Sequence, residues 1–347
     1  MNYSATDQIT DHNSLINRFF IKFSVFMKTN LLSAILKKKW LFAMLFLFTG
    51  MSLGFFFSKL SASLPQPETA TNILVDGYTE VPEYPENLTF AGEKIPLDIF
   101  YTRENLEREL IVNTYWQSST ILALKRVSRW FPVIEPILKK NGVPDDFKYL
   151  CLIESNLTQV KSPAGAAGFW QIMAPTAKEL GLEMNEDIDQ RYDVELSTEA
   201  ACKLILTLNK KYHNWSLTAA AYNAGQKRIS ELITAQQVNS YFDLLMPEET
   251  ERYLFRIMAM KLIVEDPMKY SFKIEKDELY TPLAFNELIV TTGITNLTTF
   301  AKEHGITYKL LKHFNPWLRT EKLKNTTGKK YKIKIPTAPF DNTFGQI

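Results

Sequence analysis

The sequence predicts a mainly α-helical protein with a small βααβ module near its C-terminus and a hydrophobic helix near its N-terminus. From about Ile95 to Met268, apolar residues recur at helical spacing almost throughout. After about Tyr270 the pattern changes to short alternating segments, which are typical of strands. The chain has 347 residues, of which 46% are hydrophobic, so it can form more than one domain with a sizeable core.

The N-terminal region, residues 1–60, is predicted to be a cytoplasmic tail followed by a signal or anchor helix. Three lysines at residues 37–39 precede an uncharged, largely apolar run over residues 40–58, close to the roughly 20 residues that span a bilayer. Translation from Met27 would make this an ordinary secretion signal, and cleavage after residues 61–63 and retention as a membrane anchor are both open. In either case the basic flank stays cytoplasmic and the remainder is exported, which predicts a cell-envelope protein on the periplasmic side of a membrane.

A linker and a helical domain are predicted next. Residues 61–90 are rich in Pro, Ser, Thr and Glu, which favours a linker, and the helical domain is expected to cover residues 91–272. Asn141-Gly142 is expected to end one helix, and Pro144 suits the first turn of the next. Helices are predicted at residues 120–140, 145–155, 174–180, 197–212, 216–222 and 249–264.

The C-terminal module is predicted to cover residues 280–337 as a small separate unit. Residues 288–290 resemble one strand, and residues 330–335 alternate like a closing strand. Between them, residues 297–304 and 307–314 have the pattern of two short helices.

One acid stands at the end of an apolar helical face. Phe147, Leu150, Cys151 and Glu154 fall at i, i+3, i+4 and i+7, so they share one side of a predicted helix. A carboxyl group on such a face is partly removed from water, which raises its pKa toward the range that suits a general acid. A Glu in this position can also simply turn into solvent or pair with an Arg, and the neighbouring motifs decide between these interpretations.

Three further motifs follow Glu154-Ser155 along the chain. Residues 165–173 read Gly-Ala-Ala-Gly-Phe-Trp-Gln-Ile-Met, residues 219–225 read Ala-Ala-Ala-Tyr-Asn-Ala-Gly, and residues 249–253 read Glu-Thr-Glu-Arg-Tyr. Aromatic faces such as those of Trp170 and Tyr222 stack on sugar rings, and amides both donate hydrogen bonds to sugar hydroxyls and accept them. In this order and spacing the motifs indicate a saccharide site.

The remaining composition points to neither a metal nor a cofactor. Cys151 and Cys202 are too few for a disulfide framework; they either pair in an oxidising compartment or are both buried, and burial is favoured. The four histidines show no zinc-ligand spacing. Residues 302–334 hold ten Lys or Arg against two acids, although the net charge of the whole chain is only +2. A basic surface of this kind suits an anionic polymer or membrane, and no recognition motif for nucleic acid accompanies it.

Together, these motifs resemble the lytic transglycosylases related to goose-type lysozyme, in particular the membrane-bound murein transglycosylase D group. The resemblance runs from about Phe90 to Phe272 and includes Asn-Thr-Tyr-Trp at residues 113–116 and Arg-Trp-Phe-Pro at residues 129–132. The tail from about Leu288 to Pro336 is similar to LysM modules, although the Gly-Asp-Thr opening of that family is absent.

The resemblance implies a lysozyme-like helical domain that cleaves the β-1,4 bond between N-acetylmuramic acid and N-acetylglucosamine and leaves a 1,6-anhydro ring. Glu154 matches the family's single catalytic acid and base, and peptidoglycan glycan strands would be the partner. The residues that match the family's substrate-binding positions are Ser155, Gln171, Met173, Tyr222, Asn223 and Tyr253.

Two other functions remain open from the sequence. A muramidase would use the same acid but transfer the sugar to water. A non-catalytic cell-wall binding protein is expected to have lost the acid or the cleft, whereas Glu154, Gln171 and Tyr222 are all present.

Overall fold

The computed structural model describes residues 81–337, which belong to the second of two compact units, Thr79–Ile347. The predicted N-terminal helix and most of the predicted linker lie outside the described residues. Within residues 81–337, no helix combines the length and the apolar character needed to cross a bilayer.

The helical part begins with a two-stranded hairpin and continues as eight consecutive α-helices within the described residues. The strands are β1 (Thr89–Phe90) and β2 (Glu93–Lys94), paired antiparallel. The helices are α1 (Phe100–Tyr115), α2 (Gln117–Asn141), α3 (Phe147–Ser155), α4 (Ala174–Glu179), α5 (Val194–Tyr212), α6 (Trp215–Ala224), α7 (Gln226–Gln236) and α8 (Glu248–Glu265).

Six of these helices, α2 to α6 and α8, confirm the segments that the sequence predicted. The helices α1 and α7 were not predicted individually. The buried face of α1 includes Thr102 and Glu109, which interrupt the apolar spacing, and Ile229 is the buried residue of α7. The periodic signal is weak where polar side chains occupy the buried face.

The predicted linker ends earlier than expected. Leu88 and Phe90 are buried, although residues 61–90 were predicted to form a linker. The turn between β1 and β2 places Ala91 and Gly92 at φ 51° and 83°. Asp146 accepts a hydrogen bond from the Ala91 backbone nitrogen at 2.7 Å, which fixes the hairpin to the start of α3. Two strands of two residues each are too short to leave an alternating pattern in the sequence.

The hydrophobic core of the helical domain surrounds α8. This helix packs against α1, α3 and α6, and its buried residues include Leu254, Ile257 and Met258. Aromatic rings fill the space beside α3, where Phe147 lies edge-on to Trp215 with 5.5 Å between ring centroids. Helix α3, which carries the candidate acid Glu154, is therefore packed against other helices on several sides.

The C-terminal module has the predicted βααβ order. It consists of β3 (Phe285–Val290), α9 (Leu297–Glu303), α10 (Tyr308–Phe314) and β4 (Tyr331–Pro336). The two strands pair antiparallel from Phe285↔Pro336 to Val290↔Tyr331. The buried Asn315 side chain exchanges two hydrogen bonds of 2.8 Å with the backbone of Lys334, which ties the end of α10 to β4.

The module shares a hydrophobic core with the helical domain, rather than forming the separate unit that its sequence suggested. Ala167, Ile188 and Tyr192 of the helical domain are buried together with Trp317 and Leu318 of the module. Ile188 and Leu318 form an isolated antiparallel bridge. Sequence patterns identify an element's apolar face but not the partner that covers it, so this contact was not predicted.

Asp187 makes a buried polar contact between the two parts. Its carboxylate accepts hydrogen bonds from the Thr320 hydroxyl at 2.7 Å and from the Lys324 backbone nitrogen at 3.1 Å, and the residue is only 2% exposed. Burial alone would raise the pKa of Asp187, but these hydrogen bonds and the charges of Lys324 and Lys322 outweigh it and hold the pKa below its ordinary value. The ionised form therefore stabilises the contact.

We expect Asp187→Asn to lower the free energy of unfolding by about 1–3 kcal/mol at pH 7, because the amide removes the negative charge and one of the two buried oxygens that accept hydrogen bonds from the module. The native pKa of Asp187 lies below its unfolded value, so its stabilising contribution is complete above the unfolded pKa and disappears as the pH falls through the native pKa. Urea unfolding should therefore show that the difference in free energy of unfolding between the parent protein and Asp187→Asn is smaller in acid than at pH 7. The exposed Asp277 supplies the control Asp277→Asn, and an equal difference at both pH values would contradict this account.

Candidate active site

Helix α3 places Glu154 at the end of a buried face. Phe147, Leu150 and Cys151 on this face are fully buried, as their spacing predicted, whereas Glu154 is partly exposed. The helix ends immediately afterwards, because Asn156 and Leu157 adopt left-handed φ values of 52° and 50°. The carboxyl group therefore lies where the apolar face of α3 reaches the surface.

The side chain of Tyr253, on α8, donates a hydrogen bond from its hydroxyl group to Oε1 of Glu154. Burial is the main cause that raises the pKa of Glu154, and the negative charge of Glu249 adds to it. The Tyr253 hydrogen bond and the positive charge of Arg256 oppose this rise but do not cancel it. Glu154 therefore holds its proton more tightly than an ordinary glutamate.

Helix α6 brings the Tyr-Asn motif to the same place. The Tyr222 hydroxyl donates a 2.7 Å hydrogen bond to the Trp170 carbonyl oxygen. Burial, and after it the charge of Glu154, raises the pKa of Tyr222 well above its usual range, so both groups lie within electrostatic reach of each other. Asn223 accepts a 3.0 Å hydrogen bond from the Thr250 hydroxyl, which connects α6 to the first turn of α8.

The Gly-rich segment, residues 165–173, packs beside Tyr222. The Gln171 amide nitrogen donates to the carbonyl oxygens of Gly168 at 2.7 Å and Val160 at 3.2 Å, and Gln171 adopts a left-handed φ of 46°. Its amide nitrogen therefore closes the loop, while Oε1 has no hydrogen-bond partner within residues 81–337. Met173 lies at the end of this segment with 42% of its surface exposed.

Trp170 does not serve as a platform for a sugar ring, contrary to the expectation from sequence. Its side chain is fully buried, and its indole nitrogen donates a 2.8 Å hydrogen bond to the Thr198 hydroxyl. The ring anchors the segment to α5. A tryptophan beside a Gly-rich turn has the same sequence pattern whether its ring is exposed or buried, so only the packing decides between these roles.

Ser155 is also directed away from Glu154. It is buried, and its hydroxyl donates to the Cys151 carbonyl oxygen of its own helix at 3.5 Å. Within the described residues it makes no hydrogen bond to Glu154. Its carbonyl oxygen accepts a 2.6 Å hydrogen bond from the Thr158 hydroxyl, which stabilises the chain just after α3.

Arg191 supports the Gly-rich segment and was not singled out from the sequence. Its guanidinium group pairs with Asp189 at 2.8 Å and donates to the carbonyl oxygens of Gly165 at 2.8 Å and Ile172 at 3.0 Å. Gly168 packs so tightly here that a β-carbon would lie 1.9 Å from the Arg191 carbonyl oxygen. The charged Asp-Gln-Arg-Tyr-Asp run at residues 189–193 is visible in the sequence, but it does not indicate that the arginine binds the Gly-rich segment.

Arg256 is a second residue missed by sequence reasoning. It follows Tyr253 by three positions on α8, so the two side chains share one helix face. Its charge lowers the pKa of Glu154, and it contacts the Ile153 carbonyl oxygen at 3.5 Å. The i, i+3 spacing from Tyr253 could have identified it.

A cavity of about 470 Å³ lies beside α3 and α8, and neither Glu154 nor any of the six predicted substrate-binding residues is among the residues that line it. Glu249, Arg252 and Arg256 of α8 line one side, and Asn113 and Trp116 line another. Within residues 81–337, no group of three or more His, Cys, Asp or Glu side chains has the arrangement of a metal site. A carboxyl group with a raised pKa, such as that of Glu154, can donate a proton and accept it again.

We expect Tyr253→Phe to raise the pKa of Glu154 further, because the variant lacks a hydrogen bond that stabilises the carboxylate. A titration of the Glu154 carboxyl carbon by NMR measures this shift. Tyr222→Phe is the matched control, since the Tyr222 hydroxyl donates to the Trp170 carbonyl oxygen and not to Glu154. A lower or unchanged pKa in Tyr253→Phe would show that the hydrogen bond does not favour the charged form.

Comparison with known proteins finds two family matches along the chain. Residues 131–243 match the family described as the transglycosylase SLT domain, and residues 286–339 match the soluble lytic transglycosylase C-terminal LysM-like domain. The membrane-bound lytic murein transglycosylases D of Escherichia coli strains K12 and O6:H1 are each 27% identical over an alignment of 256 residues that covers 71% of this chain and 55% of the relative. The chain thus matches about half the length of these curated relatives.

Two solved structures are similar over part of the chain. The 70 kDa soluble lytic transglycosylase of Escherichia coli has a TM-score of 0.34 and 20% identity, covering 44% of this chain and 27% of that one. An inactive mutant of the lytic transglycosylase Slt from Pseudomonas aeruginosa has a TM-score of 0.35 and 16% identity, covering 53% and 36%. From the two family matches, the chain contains a transglycosylase SLT domain followed by a LysM-like C-terminal domain.

Proposed function

We propose that this protein is a peptidoglycan lytic transglycosylase that cleaves the β-1,4 bond between N-acetylmuramic acid and N-acetylglucosamine. The observation that carries the proposal is the partly buried Glu154, whose pKa is raised by burial and whose carboxyl accepts a hydrogen bond from Tyr253. The SLT domain match and the named lytic transglycosylase relatives support the same activity.

In the proposed reaction Glu154 acts first as an acid and then as a base. The protonated carboxyl donates its proton to the glycosidic oxygen, so the bond from that oxygen to C1 of the muramoyl sugar breaks and the acetylglucosamine leaves with a new hydroxyl group. The resulting carboxylate takes the proton of the muramoyl 6-hydroxyl, and that oxygen bonds to C1. A 1,6-anhydro ring forms, no water is added, and Glu154 regains its proton.

A single carboxyl group suffices for this scheme if the substrate's own acetamido group stabilises C1, as in substrate-assisted glycosidases. Tyr253 would hold the Glu154 carboxyl in position in both protonation states. Gln171, Tyr222, Asn223 and Met173 would line the saccharide cleft. Ser155 would act indirectly, since its hydroxyl is bonded within α3.

We propose further that the protein works at the cell envelope, on the periplasmic side of a membrane. The lysines at residues 37–39 and the apolar run over residues 40–58 support export or anchoring of the chain. The name of the curated relatives, membrane-bound lytic murein transglycosylase D, is consistent with this location.

We expect residues 64–347 to release anhydro-muropeptides from purified sacculi, with the products identified by mass spectrometry. Glu154→Gln should reduce this release about 10²–10⁴-fold, the usual contribution of a general acid and base, because the amide cannot transfer a proton. Products with a reducing end would instead identify a muramidase. Failure of the folded parent protein to release products would overturn the enzymatic proposal.

We expect Cys151→Ala to retain activity close to that of the parent protein. Burial raises the pKa of this thiol well above its usual range, so it is neither ionised nor nucleophilic at neutral pH. Its contact with the Phe169 carbonyl oxygen is a weak one at 3.7 Å. Loss of product release in a variant whose circular dichroism is unchanged would assign the thiol a catalytic role after all.

A further inference from the structure

A second cavity lies between the helical domain and the C-terminal module. This interdomain groove has a volume of about 550 Å³ and is lined on one side by α2, the segment after α3 and the start of α5. Residues 280–285, α10 and β4 line the other side. Glu154, Gln171, Met173, Tyr222, Asn223 and Tyr253 are not among the residues that line the groove.

The walls of the groove are largely apolar and aromatic. Trp130 and Phe169 meet edge-on with 4.9 Å between ring centroids, and Tyr280, Phe285 and Trp317 belong to the opposite wall. Trp317 is held in place by stacking on Tyr331 at 5.8 Å. Such walls suit methyl groups and sugar or peptide faces, which pack without hydrogen bonds.

Positive charge in the groove exceeds what its acids neutralise. Lys334 pairs with Glu195 at 2.9 Å. Arg126, Arg129, Lys309 and Lys312 also line the groove, and within residues 81–337 none of them lies within 4 Å of a carboxylate oxygen, although the charge of Glu321 acts on Lys312 from further away. Asp193 is the second acid that lines the groove, so four cations and one acid remain there besides the Lys334–Glu195 pair.

Three of these cations are held in place by backbone carbonyl oxygens. Arg126 donates to Asn156 at 3.2 Å, Arg129 to Thr281 at 2.9 Å and Lys312 to Thr320 at 2.9 Å. Burial, followed by the nearby charge of Arg319, lowers the pKa of Lys312 to about 8. A partly buried cation without a carboxylate gains from an anionic ligand, because the ligand offsets the loss of hydration.

We propose that the interdomain groove binds the acidic peptide stem of a peptidoglycan strand. Alanine methyl groups and free carboxylates occur together in such a stem, which complements apolar walls that carry unpaired cations. The proposal rests on the proposed function, since it assigns the stem of the same polymer that Glu154 would cleave. Leu157, Thr158 and Gln159 line the groove directly after α3, so the groove begins next to the catalytic helix in the chain.

The test uses the 347-residue chain in a non-ionic detergent, with Glu154→Gln to prevent cleavage. The probe is the tetrapeptide L-alanyl-γ-D-glutamyl-meso-diaminopimeloyl-D-alanine, titrated by isothermal calorimetry. Lys309→Glu is the groove variant, and Lys302→Glu is the matched control; both lysines are exposed on short helices of the module, and only Lys309 lines the groove. We expect Lys309→Glu to weaken binding about fivefold, Lys302→Glu to leave it unchanged, and added salt to weaken it further.

Absence of tetrapeptide binding, or equal effects of the two variants, would overturn the proposal. Equal affinity for a peptide-free disaccharide repeat would assign the groove to sugar instead, and Lys309-dependent sedimentation with anionic phosphatidylglycerol vesicles in place of peptide binding would assign it to a membrane surface. Product release from sacculi is measured separately on the parent protein. If anhydro-products are released but the tetrapeptide does not bind, only the proposal that the groove binds the peptide stem is refuted. If the tetrapeptide binds but no products are released, only the proposed enzymatic function is refuted.

Discussion

The candidate site depends on the position of one carboxyl group, that of Glu154, at the edge of a buried helix face. Phe147, Leu150 and Cys151 fix the orientation of α3 by complete burial, so Glu154 has little freedom to turn fully into solvent. Burial raises its pKa, and the Tyr253 hydrogen bond limits the rise. The same packing that forms the core thus sets the protonation of the acid.

The support for this carboxyl group comes from distant parts of the sequence. Tyr253 follows Glu154 by 99 positions, and Tyr222 reaches the Trp170 carbonyl oxygen across 52 positions. Arg191 fastens the Gly-rich segment through two carbonyl oxygens, and Trp170 anchors it to α5. The position of the Gly-rich segment therefore depends on buried side chains, Trp170 and Arg191, that bind other parts of the protein.

The C-terminal module is part of the same arrangement. Asp187 receives hydrogen bonds from the module, and four residues further along Arg191 holds the Gly-rich segment. Arg319 of the module also lies over the ring of Tyr192, with 4.0 Å from its guanidinium carbon to the ring centroid. Residues 187–192 therefore contact both the module and the Gly-rich segment beside Glu154.

The sequence by itself determined the mainly helical fold, the βααβ module, the two domain families and the candidate acid. These follow from local information: apolar periodicity in α2 to α6 and α8, strand alternation near residues 330–335, and the spacing of motifs around Glu154. It could not reveal the early end of the linker, because Leu88 and Phe90 lie in strands too short to show a pattern. Only the tertiary structure decided that Trp170 is buried, that Arg256 and Arg191 support the site, and that the module shares a core with the helical domain. Each of these depends on which surfaces meet after folding, and burial and charge pairing between distant residues leave no periodic trace along the chain.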